Sequence, residues 1–223
     1  MFDADGVLFE SYESNIAYYN AIFAEACEAP LNPEEEIASI SYAAGDIFRL
    51  RALGDAAKLE RIHQIARAID QAPFFKLLRP PFELRPFMLH LKQRYRLALA
   101  TNRSATVPAL VIHLDLADIF DAVASALDKV PPKPAPDILQ LCLQRAGVSA
   151  ENAVYIGDSP IDREAAEAAG VAFIGVGERV DHDDRIASLH ELTDALERVA
   201  LDAAKAAASG MRRASRSSTG SSR

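Results

Sequence analysis

Two aspartates near the start of the chain have the types and spacing needed for phosphoryl transfer. Asp3 and Asp5 stand two residues apart, and Gly6 follows them at once. A carboxylate such as Asp3 that attacks phosphorus forms an aspartyl-phosphate, which divides one difficult displacement into two easier ones. Asp5 faces the same way if the backbone is extended, so it is placed to protonate a leaving alcohol and then to deprotonate water. Gly6 allows the sharp turn that such a loop requires.

Two segments further along the chain suit the same chemistry. Thr101 ends an apolar run and offers a hydroxyl and a backbone N–H to phosphoryl oxygens, with Asn102 beside it as a further phosphate contact. Lys133 lies between two prolines that stiffen its loop, and its ammonium would stabilise the transferring group and restrain the nucleophile. Taken alone, each of these motifs is more often an ordinary turn or surface loop. Their joint occurrence favours a composite catalytic site.

The carboxylates also predict a bound magnesium ion. Asp158 follows a strand-like segment, and Asp162 lies one helical turn further on. Asp3 and Asp158 would repel a phosphate dianion, whereas Mg²⁺ accepts oxygen ligands and neutralises developing charge. We therefore expect Mg²⁺ as the cofactor, bound by Asp3 and Asp158. Asp162 is expected to support the ion through water or an indirect hydrogen bond.

Alternating strands and helices would bring these residues together. Four apolar segments predict parallel strands that are covered on both faces, over residues 95–101, 120–124, 153–158 and 171–176. Helices are predicted over 137–146 and 162–169, each ending at a glycine. In an open parallel sheet, ligands bind beyond the carboxyl ends of the strands, where the candidate catalytic residues fall. The predicted fold class is α/β, with a Rossmann-like parallel-sheet core.

Residues 12–80 differ from the rest because they lack strand-like runs and show helical periodicity. We therefore predict an all-helical cap inserted after the first strand, with Glu10-Ser11-Tyr12 as a hinge. The predicted α/β core comprises residues 1–11 and 81–200. Some basic residues of the cap are candidates to meet a carboxylate or second phosphate of a substrate, although most are expected on a solvated helix face. They are Arg49, Arg51, Lys58 and Arg61.

Charge and composition limit the partners of the chain. The net charge is −8, yet residues 202–223 hold five basic residues and one acidic residue, so the body is more acidic than the whole. An acidic body argues against nucleic-acid binding, and the serine-rich basic segment 201–223 is predicted to be a disordered tail. No apolar run reaches transmembrane length, and Cys27 and Cys142 show no metal or disulfide pattern. We expect a cytoplasmic protein that does not bind a membrane.

Together the four motifs resemble the signature of the haloacid dehalogenase (HAD) superfamily of phosphotransferases. They occupy residues 3–8, 101–103, 133–137 and 157–170. The fourth is similar to that of phosphoglycolate-phosphatase-like members, and the first also to that of β-phosphoglucomutase-like members. The resemblance implies a Rossmann-like core with a helical cap, Mg²⁺-dependent phosphoryl transfer through Asp3, and the backbone carbonyl of Asp5 as a metal ligand. A small phosphorylated metabolite is the expected partner, and the protein is expected to be a monomer or homodimer.

Three functions stay open on the sequence alone. The first is a phosphatase that hydrolyses a small phosphorylated metabolite, and the second is a mutase that returns the phosphate to a sugar. The third is an inactive, N-terminally truncated family member, because the resemblance implies several apolar residues before the nucleophile and only Met1 and Phe2 precede Asp3. Losing about four buried apolar side chains would cost on the order of 6–12 kcal/mol, so the natural start is expected upstream. The carboxylate of Asp5 argues against dehalogenation, since the dehalogenase branch is expected to lack it.

Overall fold

The computed structural model describes residues 1–201, and a parallel β-sheet forms their centre. The strands are β1 (Ala98–Thr101), β2 (Ala122–Ser125), β3 (Val154–Gly157), β4 (Ala172–Val176) and β5 (Arg185–Ile186). β1 pairs with β2, β3 with β4, and β4 with β5, all in parallel. Most strand residues are buried because the sheet is covered on both faces, which explains the nearly continuous apolar runs. The predicted α/β class is confirmed.

The first residues of the chain join the two halves of this sheet. Phe2 is bridged in parallel both to Leu99 of β1 and to Ile156 of β3. The N–H of Phe2 donates to the carbonyl of Ala98 at 2.8 Å, and the N–H of Asp3 donates to the carbonyl of Ile156 at 2.9 Å. The segment that carries Asp3 therefore lies at the centre of the sheet, between β1 and β3.

Residues 12–80 form a separate helical layer, called the cap below. Its helices are α1 (Tyr12–Glu25), α2 (Pro33–Ser41), α3 (Ala44–Ala52), α4 (Ala56–Ala68) and α5 (Ala72–Phe75). The cap has an apolar cluster of its own, in which Ile22 and Phe48 are almost fully buried. Its two connections to the sheet lie side by side, since Glu10 and Arg79 exchange backbone hydrogen bonds of 2.9 and 3.0 Å. Both connections thus cross at one place, which suits a hinge.

The helices of the core end where the sequence marks their ends. They are α6 (Leu84–Lys92), α7 (Val107–His113), α8 (Asp137–Ala146) and α9 (Pro160–Ala169). Gly147 follows α8 and Gly170 follows α9, with φ angles of 64° and 68° that favour glycine. At the start of α9, Ser159 and Asp162 form a reciprocal capping box. The two predicted helices are confirmed, and the second begins two residues earlier than expected.

Successive strand residues alternate between two apolar clusters. Leu99 and Ile156 belong to one cluster, and Tyr155 belongs to the other. The observed strands are up to three residues shorter than predicted. Ahead of β1, the N–H of Leu97 donates to the carboxylate of Asp121 at 2.9 Å, so a side chain replaces the strand carbonyl there. A polar side chain that takes the place of a backbone partner ends the strand pairing earlier than the apolar sequence pattern predicts.

The C-terminal part of the described chain is helical over residues 192–201. The basic tail predicted from the sequence lies outside the described residues from position 202 onward. Among residues 1–201, no helix combines the length and the apolar character that a membrane crossing requires.

Candidate active site

Three of the candidate residues meet at the carboxyl edge of the sheet. Asp3 follows the bridged residue Phe2, Thr101 ends β1, and Asp158 follows the last residue of β3. Their exposed fractions are 7%, 1% and 5%, so all three are almost removed from water. Because parallel strands end at one edge, the topology itself brings these distant segments into one crevice, as the sequence predicted.

Lys133 lies inside the crevice as a fixed positive charge. Its ammonium is 2.9 Å from Asp3 Oδ1 and 2.6 Å from Asp162 Oδ1, and it donates to the Tyr155 hydroxyl at 2.8 Å. Burial alone would lower the pKa of Lys133, but the two carboxylates outweigh burial and hold the pKa well above its ordinary value. The candidate nucleophile therefore has a permanently charged neighbour.

The side chain of Asn102 holds the Lys133 loop in place. Its carbonyl oxygen accepts from the Lys133 N–H at 2.8 Å, and its amide nitrogen donates to the Lys133 carbonyl at 3.1 Å. The structure thus gives Asn102 a positioning contact, and its contact with a substrate phosphate stays a prediction. Thr101, whose hydroxyl oxygen accepts from the Arg103 N–H at 3.2 Å, lines the same crevice.

Asp162 is fully buried, and both of its carboxylate oxygens are engaged. Oδ1 contacts the Lys133 ammonium and accepts from the Tyr155 hydroxyl at 3.1 Å. Oδ2 accepts from the backbone N–H of Asp158 and of Ser159, each at 3.2 Å, and from the Ser159 hydroxyl at 2.5 Å. Asp162 therefore orients Lys133 and the Asp158 loop, which fits an indirect role in metal binding.

The aspartates of the crevice fit a divalent cation. One carboxylate oxygen from each of Asp3, Asp158 and Asp162 lies within 4.8 Å of the others. Asp3 Oδ1 is buried, and although the Lys133 ammonium is near, no donor among residues 1–201 makes a directional hydrogen bond to it. Burial raises the pKa of Asp3 to about 7 and that of Asp158 to about 8, despite the neighbouring cations. Buried carboxylates with too little positive charge around them are a hard-ion site that suits Mg²⁺.

Asp5 is bound to a guanidinium in this conformation. Arg103 donates to the two carboxylate oxygens of Asp5 at 2.7 and 2.6 Å, and to the Asn15 side chain of α1 at 3.0 Å. Burial would raise the pKa of Asp5, but Arg103 outweighs burial and the pKa lies below its ordinary value. Arg103 therefore keeps Asp5 ionised and connects it to the cap.

A second arginine contacts the opposite side of the crevice. Arg179, which follows β4, donates to Asp158 Oδ2. Gly6, at a φ of 71°, packs so closely against this pair that a Cβ there would lie 1.8 Å from the same oxygen. Glycine is therefore required at this turn for both its conformation and its size.

The contacts that Arg103, Tyr155 and Arg179 make in the crevice were not predicted from the sequence. Arg103 is the last residue of the 101–103 motif, so its position was a usable signal, but its partner Asp5 lies far away in the chain. Tyr155 has the pattern of an ordinary buried strand residue, although its hydroxyl contacts Lys133. Arg179 lies in a loop whose path cannot be read from local spacing.

The cap closes over the crevice and leaves a cavity of about 60 Å³. Asp3, Thr101 and Lys133 line it from the core, and Asn15 and Tyr18 line it from the cap. The four basic cap residues named from the sequence are not among its lining residues in the described chain. The site is thus a small cleft between the core and the cap, with both polar and apolar walls.

Comparison with known proteins agrees with this geometry. The model of the haloacid dehalogenase-like hydrolase family matches residues 1–176. Over 75 residues the chain is 41% identical to fructose-1-phosphate phosphatase YqaB of Escherichia coli (strain K12), which covers 34% of this chain and 40% of that protein. Over 95 residues it is 35% identical to phosphoglycolate phosphatase of Yersinia pseudotuberculosis, which covers 42% of this chain and 41% of that protein. The match therefore spans about two fifths of the length of these curated relatives.

A solved structure extends the similarity over the whole fold. A HAD-superfamily hydrolase of subfamily IA, variant 1, from Geobacter sulfurreducens is 30% identical and superposes with a TM-score of 0.66. The superposition covers 86% of this chain and 93% of the other. Fold and crevice together define a Rossmann-like hydrolase with a composite carboxylate site. The chain belongs to the haloacid dehalogenase-like hydrolase family, as the four sequence motifs predicted.

Proposed function

We propose that the protein is a Mg²⁺-dependent phosphatase that hydrolyses a small phosphorylated metabolite through an aspartyl-phosphate on Asp3. The observation that carries this proposal is the contact of 2.9 Å between Asp3 and the buried Lys133 ammonium, beneath an enclosed cavity. A carboxylate in this position is held, partly neutralised and screened from water, which suits attack on a phosphate monoester.

In the first step, Asp3 attacks phosphorus and the ester oxygen of the substrate leaves. The bond from the carboxylate oxygen to phosphorus forms as the bond from phosphorus to the alcohol oxygen breaks. Asp5, in its protonated form, donates a proton to the departing alcohol. Lys133 and the hydroxyl and backbone N–H of Thr101 stabilise the charge on the phosphoryl oxygens.

In the second step, water releases the phosphate and regenerates the enzyme. Asp5, now ionised, accepts a proton from the water that attacks the phosphorus of the aspartyl-phosphate, and the carboxylate of Asp3 is restored. The Arg103 contact favours this ionised form of Asp5. Protonation of Asp5 in the first step therefore requires the Arg103 contact to loosen, which an outward movement of the cap would allow because Arg103 also bonds to Asn15.

The residues that would hold the metal are Asp3 and Asp158, with the backbone carbonyl of Asp5 as a further ligand and Asp162 as the orienting group. Bound Mg²⁺ supplies positive charge that lets two carboxylates approach a phosphate dianion. Arg179 contacts the carboxylate of Asp158 in the present conformation, so it lies where it would compete with Mg²⁺ for this proposed metal ligand.

The substrate is proposed to be small because the cavity between the core and the cap is small. Relatives named for phosphatases of fructose-1-phosphate and of phosphoglycolate support this size class. The cavity between the core and the cap measures about 60 Å³, and an outward movement of the cap would let a substrate enter and its product leave. The paired backbone hydrogen bonds between Glu10 and Arg79 are the natural position for that movement.

Phosphate release from a panel of small phosphate esters tests the proposal. We expect release that requires Mg²⁺, stops with EDTA, and is lost in Asp3→Asn, which keeps the size of the side chain and removes its nucleophilic charge. A folded wild-type protein that isomerises a sugar phosphate but releases almost no phosphate would instead support the mutase. Equal release by wild type and Asp3→Asn would contradict the proposed nucleophile.

A further inference from the structure

The part of the cavity that the cap provides carries no charge. Among the described residues, every cap residue that lines the cavity is neutral, and the polar ones include Ser14, Asn15, Tyr18, Ser39, Tyr42 and Gln71. Burial raises the pKa of the Tyr18 phenol to about 12, so this group also stays protonated. Hydroxyls and amides both donate and accept hydrogen bonds, which suits the hydroxyl groups of a ligand.

The basic residues of the cap are engaged away from the cavity. Each of the four candidates has a partner within the cap, Arg49 with Asp46, Arg51 with Glu35, Lys58 with Glu28, and Arg61 with the carbonyl of Glu25. Within residues 1–201, the basic residues that do line the cavity are Lys133 and Arg103. Lys133 contacts two carboxylates and Arg103 is paired with Asp5. In this conformation, a second anionic group on a substrate would therefore find both of these lining cations already paired with carboxylates.

Two buried oxygen atoms of lining residues have no hydrogen-bond partner in the described chain. They are Gln71 Oε1, just before α5 of the cap, and Thr106 Oγ1, just before α7 of the core. Buried polar atoms are nearly always hydrogen-bonded in native proteins. A substrate hydroxyl can donate to either oxygen, whereas a carboxylate or a second phosphate dianion offers only acceptors. The Thr106 hydroxyl can donate as well as accept, so Gln71 Oε1 is the atom that favours a donor on the ligand.

From these observations we propose that the substrate is the phosphate monoester of a small neutral alcohol, a polyol or a sugar, with a hydroxyl that donates to Gln71. This inference rests on the proposed phosphatase function and names its substrate class. A phosphorylated carboxylic acid or a bisphosphate would bring a second negative charge into an enclosed site whose lining cations are already paired. Such a charge loses its hydration without gaining a partner, so these compounds are poor substrates.

Matched pairs of substrates test the inference on the wild-type protein. Glycerol phosphate and phosphoglycerate differ by a hydroxymethyl group against a carboxylate, and so do hydroxyethyl phosphate and phosphoglycolate. With Mg²⁺ present, kcat/KM is expected to be at least about tenfold higher for the neutral member of each pair. Mg²⁺-dependent release that is equal or faster with the acids would overturn the substrate class and leave the phosphatase function standing. Release from none of the four, nor from acetyl phosphate, would overturn both.

A variant of Gln71 tests the assigned contact. Gln71→Leu removes the acceptor at similar size, and its loss of kcat/KM is expected to be about tenfold greater with glycerol phosphate than with acetyl phosphate, which has no hydroxyl. Gln64→Leu is the matched control because Gln64 is exposed on α4 of the same cap, and it should leave both values unchanged. Equal losses by Gln71→Leu on the two substrates would overturn the contact with a hydroxyl. A Gln71→Lys gain with phosphoglycolate would support the charge argument, and a loss there would count against it.

Discussion

Replacing Lys133 by methionine tests how the buried carboxylates of the crevice are stabilised. The substitution keeps a long, flexible side chain and removes the charge that lies 2.9 Å from Asp3 and 2.6 Å from Asp162. Removing one partner of a buried ion pair costs about 3–5 kcal/mol, a large part of the roughly 5–15 kcal/mol that stabilises a typical domain. Without Mg²⁺, we expect the free energy of unfolding of Lys133→Met to fall by about this amount when Asp3 is ionised in the wild type.

The deficit of this variant should depend on pH in a defined direction. The pKa of Asp3 is already raised from 3.8 to about 7, and loss of Lys133 raises it further. A carboxyl whose folded pKa exceeds its unfolded pKa stabilises the fold at low pH, and that stability is lost as pH rises through the folded pKa. Below about pH 7, Asp3 is protonated in both the wild type and Lys133→Met. The loss of stability that Asp3 causes in the variant therefore appears only as pH rises above about 7.

Urea unfolding followed by circular dichroism measures the effect, in EDTA at about pH 5 and about pH 9. Lys92→Met is the matched control, because Lys92 lies 3.0 Å from Asp121 in a pair that is about one third exposed and should lose no more than about 1 kcal/mol. The reasoning fails if Lys133→Met loses no more than Lys92→Met at the higher pH. It also fails if the deficit of Lys133→Met is the same at both pH values.

Three further predictions concern the groups around the proposed metal site. Arg103→Met removes the cation that lowers the pKa of Asp5. Because Asp5 acts in its protonated form in the first step, the alkaline limb of the pH profile of kcat/KM should move to higher pH, and an unchanged limb would count against Asp5 as the proton carrier. Arg179→Gln removes a cation beside Asp158, so the variant should bind Mg²⁺ more tightly than the wild type. Calorimetric titration should give a Kd for Mg²⁺ that is lower by about fivefold, or roughly 1 kcal/mol. A higher Kd would contradict the assigned contact. In the metal-free protein the pKa values of Asp3 and Asp158 are raised to about 7 and about 8, so the stability of the fold should decrease as pH rises through this range. The stabilisation by added Mg²⁺, measured by thermal unfolding, should increase over the same range. A stabilisation by Mg²⁺ that does not depend on pH would contradict this prediction.

The sequence was sufficient to predict where Asp3, Thr101 and Asp158 meet. Each falls at the carboxyl end of an extended apolar segment, and the strands of a parallel sheet end at one edge, so chain order and hydrophobic pattern determine their convergence. The helices of residues 12–80 were also predictable, because this segment lacks strand-like runs and shows helical periodicity. Lys133 was found through its motif, and its place beside Asp3 follows from the loop after β2.

The contacts of Arg103 and Arg179 could not be predicted, because each depends on how distant loops pack. A long basic side chain reaches several places equally well from a given backbone position, and only the tertiary structure selects Asp5 or Asp158 as its partner. The same limit applies to the cap, where basic residues were candidates for substrate binding. Arg51 instead binds Glu35 and covers the ring of Phe23 at 4.1 Å, a choice that helix spacing does not determine.

The most direct test of the central claim is to detect the phosphoryl group on Asp3. Wild-type protein and Asp5→Asn, in which breakdown of the intermediate is slowed, would be quenched in acid during turnover of acetyl phosphate with Mg²⁺ and examined by peptide mass spectrometry. We predict one added phosphoryl group on the peptide that contains Asp3, more abundant in Asp5→Asn and absent from Asp3→Asn. A phosphoryl group on a different residue, or undiminished phosphate release by Asp3→Asn, would contradict covalent catalysis by Asp3.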